Sequence, residues 1–293
     1  RPARQKPSAP PLPEERIVLA HADRREAIVE VIRSARQRLM LSVFRCDDFK
    51  ILDALDEAIQ RKVRVEALLT PMAKGWEKKL SDLEAFLGSM GAVVHRFQDP
   101  VVKYHAKFLV ADDGPALVAS LNFTRKCFEE TCDFILVSHD REVVSGLQTL
   151  FETDCKAVES SLPDGLSERL IVSPEGARAQ FTALIQQARQ SVRIIDRRIE
   201  DLAILSLLKA QRSRGVAVEV LDGESVGNLV SHGRLLVVDE QVAAIGSISL
   251  DTEALDFRRE VSVVVRRPEC VAQLNQFFQG QYATRGRKAR PAK

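Results

Sequence analysis

The stretch YHAKFLVADDGPALVASLN, residues 104–122, decides the fold of this chain. It places His105 and Lys107 two residues apart, and then an apolar run, a turn and a second apolar run that ends at Ser120 and Asn122. In an extended strand, residues two apart point to the same face, so we expect His105 and Lys107 to project together. Neighbouring strands that offer His, Lys, Ser and Asn from one edge predict a phosphate site.

The same arrangement recurs further along the chain, beginning at His232, with every position displaced by the same amount. Five polar positions match in register: His105 with His232, Lys107 with Arg234, Asp112 with Asp239, Ser120 with Ser247, and Asn122 with Ser249. Asp133 and Glu260 are separated by the same offset, and each is followed by apolar, strand-like residues. A single His-x-Lys is uninformative, whereas two copies in register indicate an internal duplication.

The spacing His-x-Lys-(x4)-Asp-(x6)-Gly-Ser-x-Asn resembles the signature of the phospholipase D superfamily, whose two halves each supply one copy. The first copy departs from the signature at Ala119, where the family usually has Gly. The second copy has Arg234 in place of Lys and Ser249 in place of Asn. The resemblance extends over residues 17–278, and it is greatest to the bacterial phospholipase D and cardiolipin synthase branch.

Cleavage of a phosphodiester by a covalent route needs a nucleophile at phosphorus and an acid on the departing oxygen, and histidine can act as either. One motif supplies one imidazole, so a pseudo-twofold pairing of the halves supplies two that face each other across the phosphate. Lys107 and Arg234 would then neutralise the non-bridging oxygens. The expected hydrogen-bond donors to the phosphate are Ser120, Asn122, Ser247 and Ser249. This shell requires no metal and no other cofactor, and the sequence has no His/Cys/carboxylate cluster at metal-ligand spacing.

The resemblance implies more specific roles. His105 is expected to be the nucleophile that forms a phosphohistidine, and His232 the general acid. A carboxylate from a later strand of each half is expected to orient the histidines, and Asp133 and Glu260 occupy the matching positions. Asp133 has a shorter reach than the Glu usual in the family.

The motif aspartates are interpreted differently. Asp112 lies an odd number of residues after His105, so in a regular strand it faces away from the histidine. We therefore expect Asp112 and its counterpart Asp239 to be structural residues.

The chain is expected to form an α/β fold of two similar lobes, with mixed sheets flanked by helices, packed as an internal pseudo-dimer. The lobes are predicted at residues 17–158 and 168–282, with a linker at 160–167. Residues 1–16 contain five prolines and predict a disordered arm, and residues 283–293 predict a mobile basic tail.

The second lobe is shorter than the first. Its segment VAVEVL at 216–221 matches VRVEAL at 63–68, and this pair is separated by a larger offset than the two motifs are. The second half therefore lacks roughly 26 residues between this strand and its motif, which correspond to the helix predicted at 76–90 and its flanks.

The composition of the chain indicates its general class of protein. Apolar residues make up 45% of the chain and charged residues 29%, values that are typical of a globular protein. The net charge of +2 argues neither for nor against a polyanionic partner. Five scattered cysteines do not indicate a disulfide framework. No stretch has the length and apolarity of a membrane-spanning helix. We expect a cytoplasmic or peripheral membrane location, and because the sequence begins at Arg1, a processed N-terminus stays open.

The function predicted from these features is a phospholipase D-type phosphodiesterase or phosphatidyltransferase that acts on a phosphodiester, with a phospholipid favoured. We expect a monomer with an internal pseudo-twofold axis, and contact with a membrane surface is left open. One alternative is a metal-independent nuclease on the same scaffold, for which the basic chain ends give some support. Another is a weakly active or inactive relative that binds a phosphate ligand or a protein, which the imperfect second motif suggests.

Overall fold

The structure, a computed structural model, describes residues 14–156 and 162–288. The predicted arm lies outside the described residues up to position 13, and the predicted tail from position 289 onwards does so too. No helix within the described ranges is long and apolar enough to cross a membrane. All five cysteines are free thiols; four are buried and Cys155 is partly exposed.

The first half of the chain forms a seven-stranded mixed sheet and two short strands outside it. The strands are β1 Glu15–Val18, β2 Arg38–Val43, β3 Arg64–Leu69, β4 Val93–Arg96, β5 Lys103–Tyr104, β6 Phe108–Ala111, β7 Ala116–Ala119, β8 Thr131–Cys132 and β9 Ile135–Ser138. The helices are α1 His21–Ser34, α2 Phe49–Gln60, α3 Glu77–Met90, α4 Arg125–Glu129 and α5 Arg141–Lys156. The sheet has the order β1-β9-β7-β6-β2-β3-β4, in which β2, β3 and β4 are parallel neighbours and the other pairs are antiparallel.

The second half forms a six-stranded sheet of the same design. Its strands are β10 Leu170–Val172, β11 Ser191–Ile195, β12 Ala217–Leu221, β13 Ser225–Val226, β14 Leu229–Ser231, β15 Arg234–Val238, β16 Val242–Gly246, β17 Arg258–Arg259 and β18 Val261–Val265. Its helices are α6 Ala177–Gln186, α7 Leu202–Ser213, α8 Thr252–Phe257 and α9 Pro268–Lys288. The sheet order β10-β18-β16-β15-β11-β12 repeats that of the first lobe strand by strand.

The two sheets differ at one edge. The first sheet continues past β3 to β4 through α3, whereas the second sheet ends at β12 within the described residues. The segment that follows β12 forms the short strands β13 and β14 and then reaches His232. Within the described residues, the second lobe has no equivalent of α3 and β4.

Local sequence signals fix many of the element ends. The Asp48 side chain caps α2 by accepting a hydrogen bond from the Ile51 backbone N–H, and Asp201 caps α7 in the same way. Helix α3 ends at Gly91, which has a left-handed φ of 100°. These residues lie where the apolar periodicity of each helix begins or stops, which is why the predicted and observed helices agree closely.

Buried apolar side chains form three clusters that define the layers of the molecule. One lies between the first sheet and α1, α2 and α3, and a second between the second sheet and α6 and α7. The third is shared, because its members come from the inner faces of both sheets and from α5 and α9. Each sheet is therefore covered on both faces, which explains why its strands are apolar throughout. The lobes are joined by a continuous core.

Two short parallel ribbons cross between the lobes. Strand β5 of the first half pairs with β17 of the second, and β14 of the second half pairs with β8 of the first. The main chain continues the contact, since the backbone N–H of His105 donates to Arg259 O at 2.9 Å and that of Gly233 to Cys132 O at 2.7 Å. The segments that carry the two histidines are thus held by the opposite lobe.

The chain ends differ from the prediction. Strand β1 begins at Glu15, inside the predicted arm, because it adds to the edge of the first sheet by pairing with β9. Helix α9 runs to Lys288, into the predicted basic tail. Composition alone missed both extensions, because each depends on packing against a distant partner.

The motif aspartates anchor the starts of two central strands. Asp112 accepts hydrogen bonds at 2.7–2.8 Å from the backbone N–H groups of three residues: Arg36, Gln37 and Arg38. Asp239 does the same for Arg189, Gln190 and Ser191. Burial alone would raise the pKa of both carboxyl groups, but these donors bring each pKa below its ordinary value.

We expect Asp112→Ala to lower the free energy of unfolding by about 2 kcal/mol, because three backbone donors lose a charged acceptor. A calorimetric scan should show a clearly lower midpoint. Since the pKa of Asp112 is depressed in the folded protein, the stabilisation is present above about pH 4 and is lost as the pH falls through the folded pKa.

The adjacent exposed Asp113 offers a matched control, and Asp113→Ala should leave the midpoint unchanged. Equal midpoints for the two variants would contradict an anchoring role for Asp112.

Candidate active site

His105 follows strand β5 and is held by a carboxylate of the other lobe. Its Nδ1 lies 2.9 Å from Oε1 of Glu260, which follows β17. The histidine side chain is 23% exposed and that of Glu260 is fully buried. Arg258 lies behind the pair, with Nη1 at 3.7 Å from the same carboxylate oxygen. The Nδ1 edge of the imidazole is therefore fixed by Glu260, while part of the ring remains accessible to solvent.

His232 is held in the reciprocal way. Its Nδ1 lies 2.8 Å from Oδ1 of Asp133, a fully buried side chain of the first lobe, and the histidine is 30% exposed. Asp133 also accepts hydrogen bonds from the hydroxyl groups of Ser120, at 2.6 Å, and Thr131. The shorter aspartate therefore reaches its histidine.

The carboxylates exchange partners between the lobes because of the crossing ribbons. Glu260 directly follows β17, which pairs with the strand before His105, and Asp133 directly follows β8, which pairs with the strand before His232. The second motif packs tightly here, since a methyl group at Gly233 would lie 2.7 Å from Ser120 Oγ. The sequence supplied one acid for each half but did not reveal this exchange.

Burial sets the charge state of His105. Loss of water and the nearby Lys107 lower the pKa of the His105 imidazole to about 4, although Glu260 opposes the shift. The ring is therefore neutral at neutral pH. Because an ionised Glu260 can only accept a hydrogen bond, we assign the ring proton to Nδ1, which leaves the lone pair at Nε2, where it can act as a nucleophile.

The two orienting carboxyl groups are ionised. Burial alone would raise the pKa of Glu260, but His105, Lys107 and Arg258 bring it below the ordinary value. Burial likewise opposes ionisation of Asp133, and its hydrogen-bonded neighbours, led by His232, lower its pKa. Each histidine thus has a fixed negative charge at Nδ1.

Lys107 lies inside the site and is almost fully buried. Its Nζ donates to the His105 carbonyl oxygen at 2.6 Å and lies 5.5 Å from the centre of the Phe44 ring. Burial lowers the pKa of Lys107 to about 8, although Glu260 opposes the shift. Phe44 also packs edge-on against His105, with 4.5 Å between ring centres. Nothing in the motif spacing indicated Phe44.

The second motif is arranged differently from the first. Arg234 Nε lies 2.9 Å from Oδ1 of Asp196, a buried residue that follows β11, and its Nη1 donates to the His232 carbonyl oxygen. Ser249 Oγ donates to the same aspartate at 2.8 Å. The two departures from the family pattern therefore form one cluster around Asp196. The corresponding position in the first lobe is Val43, so the motif comparison gave no sign of this acid.

The four predicted phosphate donors differ in the partners they have within the protein, and their role in binding phosphate stays a prediction. Ser120 donates to Asp133 and Ser249 donates to Asp196, so both hydroxyl groups support carboxylates. Ser247 Oγ lies 3.5 Å from the Val261 carbonyl oxygen. Asn122 differs from these serines, since its Oδ1 is buried and has no partner within the described residues. Hydroxyl groups in a strand bond to the nearest acceptor, and sequence spacing could not identify that acceptor.

One group of side chains has the composition of a metal site. Ligand atoms of Cys127, Asp133 and His232 lie within 4.8 Å of one another, a cluster that the sequence analysis missed. However, burial raises the pKa of the Cys127 thiol, which favours its protonated form, and Asp133 already accepts three hydrogen bonds. These residues fit a hydrogen-bonded support for His232 better than a metal centre.

Comparisons with known proteins agree with this architecture. Residues 28–155 match the family model described as "Cardiolipin synthase, PLD-like domain". Polyphosphate kinase from Porphyromonas gingivalis superposes with a TM-score of 0.76 at 17% identity over 91% of this chain and 46% of that chain, so this chain spans about half of that enzyme. Phosphatidylserine synthase from Haemophilus influenzae Rd KW20 superposes with a TM-score of 0.72 at 13% identity over 91% and 85% of the two chains. No curated protein sequence matches.

The duplicated sheets, the repeated His motifs and the crossed carboxylates define a two-lobed protein of phospholipase D type. The family-model match lies in the first lobe, and both lobes have a fold similar to that of the phosphatidylserine synthase. This match supports phosphodiester-related chemistry.

The crossed pairing can be tested by nuclear magnetic resonance of histidine ring nitrogens. We expect Asp133→Asn to shift the ring signals of His232 and to leave those of His105 nearly unchanged, because the lost charge contacts one ring only. Glu260→Gln should produce the reverse pattern.

The two variants serve as controls for each other, since each replaces a buried carboxylate by its amide. If each substitution mainly affected the histidine of its own half, the crossed arrangement would be wrong.

Proposed function

We propose that this protein is a phosphodiesterase or phosphatidyltransferase of phospholipase D type that forms a covalent phosphohistidine at His105. The observation that carries the proposal is the pair of crossed imidazole–carboxylate hydrogen bonds, which join His105 to Glu260 and His232 to Asp133. Two partly exposed imidazoles with fixed Nδ1 partners provide one nucleophile and one acid.

In the first step, the lone pair of His105 Nε2 attacks phosphorus and the bond from phosphorus to the leaving oxygen breaks. The protonated His232 ring gives its proton to that oxygen, which departs as an alcohol. The positive charge on the His105 ring is balanced by Glu260, whose buried carboxylate lies 2.9 Å from Nδ1.

In the second step, the oxygen of water or of an acceptor alcohol attacks phosphorus, and its proton passes to His232. The phosphorus–nitrogen bond breaks and the electron pair returns to His105 Nε2. Water gives hydrolysis and an alcohol gives transfer, so the geometry serves both reactions.

The two motifs differ in how strongly they stabilise negative charge on the non-bridging oxygens of the phosphate. Lys107 offers a buried ammonium group beside His105. Arg234 is partly neutralised by Asp196, and its Nη1 donates to the carbonyl oxygens of His232 and Gly233. We therefore assign the larger stabilisation of the transition state to Lys107.

A phospholipid is the proposed substrate. The family description names cardiolipin synthase, and one structural neighbour, which is covered over most of its own chain as well as of this one, is a phosphatidylserine synthase. The region around the β5–β17 ribbon adds support, since Val101 and Phe257 next to it are 67% and 48% exposed. Exposed apolar side chains next to this ribbon suit the acyl part of a lipid.

Trapping the intermediate tests the proposal. With an aryl phosphodiester as substrate, wild-type protein should turn over in the presence of a chelator, and His105→Ala should reduce turnover by at least about 10³-fold because the nucleophile is lost. In His232→Ala, the phosphohistidine intermediate should accumulate at His105. Mass spectrometry of proteolytic digests prepared without acid measures it.

His139 is an exposed histidine and provides the control, since His139→Ala should behave as wild type. Turnover that survives His105→Ala would exclude the mechanism. The same assay with phosphatidylglycerol vesicles and with single-stranded DNA decides the substrate. Cleavage of DNA and not of the lipid would show that the substrate is a nucleic acid.

The pH dependence of kcat/KM should have two limbs. His105 must be neutral, so activity should rise as the pH increases through about 4. Lys107, whose pKa is about 8, and the general acid His232 must both be protonated, so activity should fall on the alkaline side. Lys107→Arg should remove the Lys107 contribution and move this alkaline limb upward, because arginine stays protonated. An alkaline limb that does not move would show that another group sets it.

A further inference from the structure

Arg24 of helix α1 is a buried cation that bonds to main-chain oxygens. The residue is 1% exposed. Within the described residues, its guanidinium donates only to carbonyl groups, which belong to Leu19 at 3.3 Å, Cys127 at 3.1 Å, Thr131 at 2.7 Å and Asp133 at 3.1 Å. Three of these four carbonyl groups lie in residues 127–133, a segment that ends at the acid that holds the second-motif histidine.

The contacts of Arg24 complete the outer edge of strand β8. This strand is the last of a three-stranded sheet and pairs with β14 on one side. Carbonyl groups along a strand alternate between its two edges, and those of Glu130 and Cys132 accept hydrogen bonds from the β14 side at 2.9 and 2.7 Å. The carbonyl groups of Thr131 and Asp133 point to the other edge, where Arg24 takes the place of a further strand.

The positive charge of Arg24 acts on the same acid. A buried cation costs free energy unless hydrogen bonds or a nearby negative charge compensate it. Burial lowers the pKa of Arg24, and the carboxylate of Asp133 is the foremost of the charges that oppose this shift. Because arginine stays protonated in proteins, the charge persists and favours the ionised form of Asp133. Both the place and the charge of this carboxylate therefore depend on Arg24.

Arg24 is not part of the internal duplication. At the offset that relates VRVEAL to VAVEVL, its position corresponds to Ala177. The residue immediately before the other orienting acid is a different buried arginine, Arg259, which pairs with Glu175 at 2.8 Å and with Asp154 at 3.2 Å. Two carboxylates thus balance Arg259, whereas within the described residues no carboxylate forms an ion pair with Arg24. The repeat pattern could not indicate this residue.

We propose that Arg24 is a positioning residue for the transfer of the proton to the leaving oxygen. The inference rests on the proposed function, in which His232 gives that proton. Arg24 holds the segment 127–133, the segment holds the Asp133 carboxylate 2.8 Å from His232 Nδ1, and this contact directs Nε2 towards the leaving oxygen. Arg24 is buried, so it acts through Asp133 and does not touch the substrate.

The dependence of the rate on the leaving group tests this role. Methyl phenyl phosphate and methyl 4-nitrophenyl phosphate share one phosphoryl part, but nitrophenol departs readily as an anion and needs little help from an acid. Arg24→Met should therefore reduce kcat/KM for the phenyl ester about tenfold more than for the nitrophenyl ester. A smaller folded fraction would reduce both values by the same factor, so an equal loss on the two esters would overturn the proposal.

The conservative variant provides a second measurement. Lysine keeps the positive charge of Arg24 but cannot reach all four carbonyl groups with one ammonium group. Arg24→Lys should therefore lie between wild type and Arg24→Met, with a loss several-fold greater on the phenyl ester than on the nitrophenyl ester. A lysine variant with the same ratio of kcat/KM values as wild type would overturn the proposal even if Arg24→Met failed to fold.

Arg33 offers a matched control on the same helix. Its side chain is exposed and pairs with Glu57 at the surface. Arg33→Met should leave the ratio of the two kcat/KM values as it is in wild type. A change of that ratio as large as the one in Arg24→Met would show that any lost arginine of α1 has this effect, and would overturn the specific role of Arg24.

Nuclear magnetic resonance of the histidine ring nitrogens separates this inference from the proposed function, since it needs no turnover. Arg24→Lys should shift the ring signals of His232 and leave those of His105 nearly unchanged. This shift in a protein that cleaves neither ester would refute the function and leave the positioning of His232 standing. Cleavage of both esters by wild type, with His232 signals unchanged in the variant, would refute the role of Arg24 and leave the function standing.

Discussion

Two hydrogen bonds between an imidazole and a carboxylate cross from lobe to lobe, and the arrangement of the site depends on them. Glu260 holds His105 at 2.9 Å and Asp133 holds His232 at 2.8 Å. Both acids are fully buried and both histidines are partly exposed. Neither lobe alone contains a complete histidine–acid pair, so the shared core that joins the sheets is also a requirement of the site.

The two halves differ in the charged groups that surround their histidines. In the first motif, Lys107 is buried next to His105 and helps to keep the pKa of that ring low. In the second motif, Arg234 forms an ion pair with Asp196, which also accepts a hydrogen bond from Ser249. The longer arginine and the shorter serine suit each other around this acid, so the two departures from the family pattern compensate each other locally. The asymmetry agrees with a nucleophile in one half and an acid in the other.

The surroundings of the two histidines also differ between the halves. His105 packs against Phe44, whereas His232 lines a groove with more cations than carboxylates.

The sequence by itself determined the α/β class, the duplication, the missing helix of the second half and the positions of His105, His232 and their acids. These features depend on periodicity and spacing, which can be read along the chain without knowing how it packs. Only the tertiary structure decided that the acids exchange histidines, that Ser120 and Ser249 support carboxylates, and that Phe44 and Asp196 lie in the site. Those contacts join strand ends that are distant in the sequence, and a hydrogen bond forms with whichever partner the packing of the lobes brings within reach.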